Sequence, residues 1–271
     1  MKILHIGDIV GAPGRLAFHR IAIPMKKNGE VDAIVVNGEN AAAGRGITPA
    51  IAEDLLNAGA DVITLGDHTW DQKELAPYLD VESRIIRPLN FTSACPGRGW
   101  ITVETLAGPL TVIQAIGRVF MQPTMDCPFA AMRELFAKDL GFAPNIVVDF
   151  HAEATSEKIA MGRFLDGKAS SVMGTHTHVQ TSDLTLLPGG TAYLTDLGMT
   201  GPKDSVLGRD VDAVIRKFFS GMPTKLDVAK DWNALEGAWI ETDEKGRAVD
   251  ARLIREYVEQ GPPDFPVPHK Q

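Results

Sequence analysis

The stretch Ile3-Leu4-His5-Ile6-Gly7-Asp8, residues 3–8, sets a pattern that the chain repeats: a short apolar run, a glycine, then a side chain able to bind a metal or move a proton. The run Ala33 to Val36 leads into Asn37-Gly38-Glu39-Asn40, and Val62 to Leu65 leads into Gly66-Asp67-His68. Ile146 to Phe150 ends at His151, and Ser171 to Met173 ends at Gly174-Thr175-His176-Thr177-His178. Helical stretches separate these runs: Gly14 to Asn28, a segment opening at Thr48-Pro49 and closing at Gly59, and Phe129 to Leu140. Strand, loop and helix in alternation predict an α/β fold of parallel strands with crossover helices. The near-continuous apolarity of the runs predicts burial on both faces. Thr48 suits a helix N-cap, Pro49 a first helical position and Gly59 a C-terminal stop.

Two later regions read as hairpins. Ile101 to Thr105 and Leu110 to Ala115 flank Ala107-Gly108-Pro109, while Ala238 to Thr242 and Ala248 to Tyr257 flank the polar turn at 243–247. The proline-rich tail 261–268 reads as extended and peripheral. No repeat, low-complexity tract or linker divides the chain, so a single domain over 1–271 is expected.

Composition narrows the function classes. The 271 residues carry 27 Lys+Arg against 35 Asp+Glu, a net charge of −8, with 44% hydrophobic residues. That balance is globular rather than disordered. It opposes an extended duplex nucleic-acid partner, which needs many basic phosphate contacts. No run approaches the roughly 18 apolar residues of a membrane helix, and the opening run is too short for a secretory segment. Cys95 and Cys127 stand far apart, each before a proline, and fit reduced thiols in a cytoplasmic protein better than a disulfide or a metal knuckle. The sequence holds no HExxH, GxSxG, P-loop or GxGxxG pattern, which disfavours serine hydrolysis and hydride transfer.

The chemistry collects at strand ends. Sites in parallel α/β sheets form beyond the carboxyl ends of the strands, so Asp8, Glu39, Asn40, Asp67, His68, His151, His176 and His178 are expected to converge on one edge. Carboxylate and imidazole without thiolate suit first-row ions such as Mn, Fe or Zn. The set is large enough for two ions and a bridging carboxylate. The glycines ahead of these residues are expected to let the backbone turn where a side chain would crowd the ions.

These blocks resemble the calcineurin-like metallophosphoesterase superfamily, whose usual blocks read GD, GD, GNH, H and GHxH. The opening residues 1–11 together with Asn37-Gly38-Glu39-Asn40-Ala41 more closely resemble the YmdB family of bacterial phosphodiesterases. The likeness extends at least to Gly201. It implies a β-sandwich core flanked by helices, a four-layer αββα arrangement. It further implies that Asp8, Asn40 and His178 hold a first metal, that Asp67, His151 and His176 hold a second, and that Glu39 bridges them. His68 would stay off the metals as the general acid, a role that suits an imidazole. The implied cofactors are two iron or manganese ions, with zinc also fitting. The implied reaction is hydrolysis of cyclic nucleotides or other small phosphodiesters by in-line attack of a metal-bridging hydroxide. Val10 stands where the superfamily usually has a histidine, and the YmdB pattern supplies Asn40 instead. Asp67 stands where asparagine is usual, which adds a negative charge and is expected to tighten metal binding or change phosphate affinity.

Plainer readings stand beside these. His5, His19 and His269 read as structural or solvated. Asp8 and Asn40 taken singly fit turn capping, and Asp71 fits an N-cap for a helix starting at Gln72. Gly44-Arg45-Gly46 reads as a turn, with Arg45 a candidate substrate-binding residue. Alternative functions are a phosphomonoesterase or nucleotidase, and a non-catalytic metal-containing regulatory or RNA-interacting protein. A metal-dependent amidohydrolase ranks last, because its His-x-His pair belongs near the first strand. The sequence allows a homo-oligomer, with a symmetric dimer the base-rate expectation.

Overall fold

The five apolar runs all form strands, but they divide between two sheets. In the computed structural model, which describes residues 1–122, 125–138 and 140–258, β1 (Lys2–Ile6), β3 (Ala33–Asn37) and β4 (Val62–Thr64) run parallel in the first sheet. β8 (Asn145–His151) and β9 (Ser171–Thr175) run parallel in the second. Among the described residues the first sheet has eight strands and is mixed. β13 (Asn233–Thr242) lies antiparallel between β1 and β12 (Met199–Pro202), and pairs also with β14 (Ala248–Tyr257) in the predicted hairpin. β2 (Asp8–Ile9) pairs with β12, and β5 (Ile85–Ile86) closes the far edge. The second sheet holds, among the described residues, six strands in the order β10 (Thr185–Leu186), β11 (Ala192–Leu194), β9, β8, β7 (Gly108–Ile116) and β6 (Trp100–Thr105), the last two being the other predicted hairpin. Proline-rich 261–268 and His269 lie outside the described residues.

Side-chain alternation explains why the runs are apolar without a break. Ile3, Val35 and Val62 face Leu110, Val112 and Val147 across the gap between the sheets. Their neighbours Leu4, Ile34, Val36 and Ile63 face outward onto Phe18, Ala22 and Leu55 of two helices. On the other side, Ile113, Val148 and Phe150 pack against Met132, Leu135 and Met161. Helix, sheet, sheet, helix is the four-layer arrangement, and each fully buried aliphatic side chain stabilises it by about 1.5–3 kcal/mol.

The helix Pro49–Ala58 is the one expected: Thr48 Oγ1 accepts from the Ile51 N–H at 3.3 Å, and Gly59 ends it at φ 135°. The first helical stretch starts earlier than predicted, at Gly11, and a π-helical turn at Phe18–Ala22 interrupts it before Lys27. The helix expected over Phe129 to Leu140 spans Pro128–Phe136. Helix Thr155–Phe164 escapes a periodicity reading because its buried face mixes Glu157 and Lys158 with Met161 and Gly162. Helix Val211–Ser220 is a further element beyond the predicted set, although Asp210 caps it and Gly221 closes it in the left-handed region. Among the described residues no helix is long and apolar enough to cross a membrane.

Candidate metal centre

The carboxyl ends of β1, β3 and β4 meet those of β8 and β9 at one end of the sandwich, so the crevice spans two sheets rather than one sheet edge. There the ligating atoms of Glu39, Asp67, His151 and His176 lie within 4.8 Å of one another. His151 Nε2 is 2.9 Å from Asp67 Oδ1, 3.2 Å from Glu39 Oε1 and 3.0 Å from His176 Nδ1. Beside this group, His178 Nε2 is 3.2 Å from Asn40 Oδ1 and 3.8 Å from Asp8 Oδ1. His68 stands at the rim, with Nε2 3.8 Å from Asp67 Oδ2. The eight strand-end residues are thus brought together.

The outward-facing ring nitrogens have acceptors that decide where each proton sits. His178 Nδ1 is 3.3 Å from the Leu207 carbonyl, His176 Nε2 is 3.2 Å from Glu153 Oε2, and His68 Nδ1 is 3.0 Å from Asp71 Oδ2. His151 Nδ1 is 2.9 Å from Thr175 Oγ1. With those nitrogens protonated, the inward lone pairs are Nε2 of His151 and His178 and Nδ1 of His176, the arrangement a metal requires.

The backbone also serves this end of the sandwich. His176 and His178 adopt φ of 99° and 65°, a region that disfavours residues with a Cβ, and so point in different directions from one short loop. The glycines expected to supply sharp turns do something else: Gly7, Gly38, Gly66 and Gly174 all lack a positive φ. They permit close approach instead. A Cβ on Gly66 would fall 2.3 Å from Glu39 Oε2 and 2.5 Å from His151 Nε2.

Protonation states fit a cation. Asp8 is fully buried, and its Oδ1 has no hydrogen-bond partner. Burial pushes the Asp8 carboxyl well above its ordinary range. For His151 burial opposes the charge, but Glu39, Asp67 and Asp8 overcome it and raise the imidazole well above its usual value. Burial also opposes ionisation of Asp67, yet hydrogen bonds with His151 and His176 hold it well below the carboxylate range. Burial lowers His178. Four converging groups with an orphaned carboxylate oxygen and no thiolate form a donor set suited to first-row ions.

These shifts set the pH dependence of metal uptake. Asp8 is raised, so without metal its contribution to stability is present at low pH and is lost as pH rises through its folded value. A cation held by Asp8 and His151 would have to displace protons from these two raised groups, whereas the lowered Asp67 and His178 give theirs up more readily. Adding Mn²⁺ to metal-free protein is expected to release protons, and the rise in Tm on metal binding is expected to be larger at about pH 7.5 than at about pH 5.5. Mn²⁺ uptake without proton release, followed with an indicator dye, would contradict this charge assignment.

Not every expectation survives. Asp71 does not cap a helix at Gln72: the nearest helix is Leu75–Tyr78, and the Asp71 carboxylate is engaged by His68 and by Arg45 Nε at 2.9 Å. Arg45 is largely exposed, its guanidinium held by that ion pair. His19 pairs with Asp54 at 2.9 Å on the surface, and His5 is buried between the sheets. Two charged residues of the cleft, Glu153 and Arg209, lie outside the predicted set. Glu153 comes two positions past His151, so the strand-end pattern could have found it. Arg209 is distant in the chain, and only folding brings it in, where it donates to the carbonyls of Ala43 and Gly44. The cleft, about 370 Å³, is lined by Glu39, Asn40, His68, His176, His178 and Arg209 among others. A larger groove of about 880 Å³ near Arg20 and Tyr257 contains none of the candidate ligands.

A family model described as YmdB-like protein matches residues 4–254. A 2′,3′-cyclic-nucleotide 2′-phosphodiesterase of Bacillus subtilis (strain 168) is 45% identical over 245 residues, 90% of this chain and 92% of that protein. The crystal structure of a hypothetical protein from Thermus thermophilus superposes with a TM-score of 0.88 at 38% identity, covering 95% of this chain and 99% of the other. That of a novel phosphatase from Mycoplasma pneumoniae gives 0.89 at 33% identity, covering 97% and 95%.

Proposed function

The chain belongs to the YmdB-like family, and on that premise we propose that it is a metal-dependent phosphodiesterase that hydrolyses 2′,3′-cyclic nucleotides and related small phosphodiesters. The observation that carries this reading is the convergence of Asp8, Glu39, Asn40, Asp67, His151, His176 and His178 at one end of the sandwich, with inward lone pairs and an orphaned Asp8 oxygen. Asp8, Asn40 and His178 form one ligand group, Asp67, His151 and His176 the other, and Glu39 is shared. Iron or manganese suits this oxygen and nitrogen set, and zinc is accommodated by the same donors. When bound, two such ions supply positive charge to the phosphoryl oxygens and acidify water.

The remaining work belongs to this chain's own side chains. His68, its Nδ1–H directed at Asp71, turns Nε2 toward the cleft and donates a proton to the departing oxygen from there. Arg209, one of the residues lining the cleft, adds positive charge beside an anionic ester. The site can therefore receive a phosphodiester although the chain as a whole is acidic. The half-buried, unpaired Cys95 and Cys127 accord with a reducing, cytoplasmic setting.

The test is hydrolysis of 2′,3′-cyclic AMP by Mn²⁺-loaded protein, beside the matching nucleoside monophosphates and an Asp8→Ala control. Diester turnover lost in the control supports the reading. Monoester preference by orders of magnitude would replace it with a nucleotidase, and turnover equal to the control would leave the metals a structural role.

A further inference from the structure

The layer between the sheets changes character toward the site. Ile3, Val35, Val62, Val112 and Val147 fill it with aliphatic side chains, and two residues further along the same strands stand His5, Asn37, Thr64, Gln114 and Asp149, all fully buried. Two residues is the period of a strand, so these side chains occupy the same face one step nearer the metal centre. A buried polar layer is unfavourable unless its groups are paired, and an apolar layer of similar volume would give equal or better cohesion. The polar exchange thus calls for a reason other than stability.

Asp149 is its centre. Asn37 Nδ2 donates to Oδ2 at 3.2 Å, Thr64 Oγ1 donates to the same oxygen, and Thr175 Oγ1 donates to Oδ1 at 2.7 Å. These donors come from β3, β4 and β9, so one carboxylate gathers strands of both sheets. His5 approaches to 3.9 Å, too far for a hydrogen bond.

The consequence reaches the site by two routes. A hydroxyl has one proton, and Thr175 gives it to Asp149, so toward His151 Nδ1, 2.9 Å away, the same oxygen can only accept. That forces the His151 proton onto Nδ1 and leaves the Nε2 lone pair facing Glu39 and Asp67. Asn37, its amide nitrogen held by Asp149, turns Oδ1 to accept the Glu39 N–H at 3.1 Å.

We propose that Asp149, acting through the Thr175 hydroxyl, is a positioning residue that fixes His151 as an Nε2 ligand of the metal centre. This rests on the reading of His151 as a ligand. Carboxylates that orient a ligating histidine directly are a known device, and here one hydroxyl stands between the two groups.

The test compares Thr175→Val, Thr175→Ser and Thr64→Val. Thr64 touches Asp149 but not His151, so a network that only held the sheets together would respond alike to either valine. Mn²⁺ titration of metal-free protein by calorimetry is expected to show one ion bound about 10–100-fold more weakly in Thr175→Val. Thr175→Ser and Thr64→Val are expected to bind as the parent protein does. Equal weakening in both valine variants, or none in Thr175→Val, overturns the proposal. A second readout does not need the metal: NMR of the ring nitrogens at alkaline pH is expected to find His151 as the Nδ1–H tautomer in the parent and in Thr175→Ser, and as a mixture in Thr175→Val. A parent protein that takes up no Mn²⁺ while retaining that tautomer pattern would refute the ligand role of His151, whereas an unchanged tautomer in Thr175→Val would refute the relay.

Discussion

Replacing His68 with alanine is expected to lower turnover of a 2′,3′-cyclic nucleotide by about 10²–10⁴-fold, the usual contribution of a positioned general acid, while leaving metal content unchanged. The expectation comes from where the ring sits. Its Nδ1 is tied to Asp71 at 3.0 Å, and its Nε2 lies 3.8 Å from Asp67 Oδ2, close enough to feel that charge and too far to be bonded to it. A proton carried on Nε2 would pass from there to a leaving alkoxide, which is a strong base and departs slowly without a proton. A nitrophenolate needs no such help, so the variant is expected to retain most of its activity on a nitrophenyl diester. Comparing the two substrates in metal-replete protein isolates proton donation from binding. Equal turnover by variant and parent on the alkyl leaving group would remove His68 from the mechanism.

Lys158→Met is expected to destabilise the protein by about 3–5 kcal/mol, because it strands a buried charge. Lys158 is 1% exposed and its Nζ lies 2.6 Å from Asp196 Oδ2, itself fully buried. Asp196 also accepts the Thr177 N–H at 3.1 Å and the Gly198 N–H at 2.9 Å. Without the ammonium, two backbone donors remain for a carboxylate that has no access to water. At about 2–4 °C per kcal/mol for chains approaching this size, Tm is expected to fall by roughly 6–20 °C. Lys158→Met combined with Asp196→Asn is expected to recover part of that loss, since the neutral amide removes the stranded charge while its Oδ1 can still accept a backbone N–H. A double variant no more stable than the single one in urea melts would refute the buried-charge explanation. The Thr177 N–H lies between His176 and His178, so the same pair steadies the loop whose positive φ values aim the two rings.

What could be read from the chain followed from local rules. Ile3-Leu4-His5-Ile6 and its four counterparts had to be strands buried on both faces, because apolar residues at nearly every position leave neither face for water. Thr48 and Gly59 bounded a helix through hydrogen bonds that need only a few neighbouring residues. The strand-end residues announced their chemistry by type, since carboxylates and imidazoles without thiolate bind a narrow class of ions.

Other features escaped because they depend on partners far away in the chain. Asp71 has the composition of a helix cap, but Arg45 and His68 compete for its carboxylate once the loops meet. Helix Thr155–Phe164 offers no clean apolar stripe, since Lys158 is buried only because Asp196, 38 residues on, awaits it. Arg209 reaches the cleft across 165 residues to Gly44.

The sequence by itself determined the five apolar strands, the two hairpins and the carboxylates and imidazoles placed at strand ends, because side-chain polarity and strand period are local properties. Only the tertiary structure decided which strands fall in which of the two facing sheets, since pairing is a matter of non-local hydrogen bonds that an apolar run satisfies equally well in either sheet. That division brings Asp8, Glu39 and Asp67 from one sheet against His151 and His176 from the other. It also buries Asp149 among donors from both, where a single carboxylate can orient a histidine it does not touch.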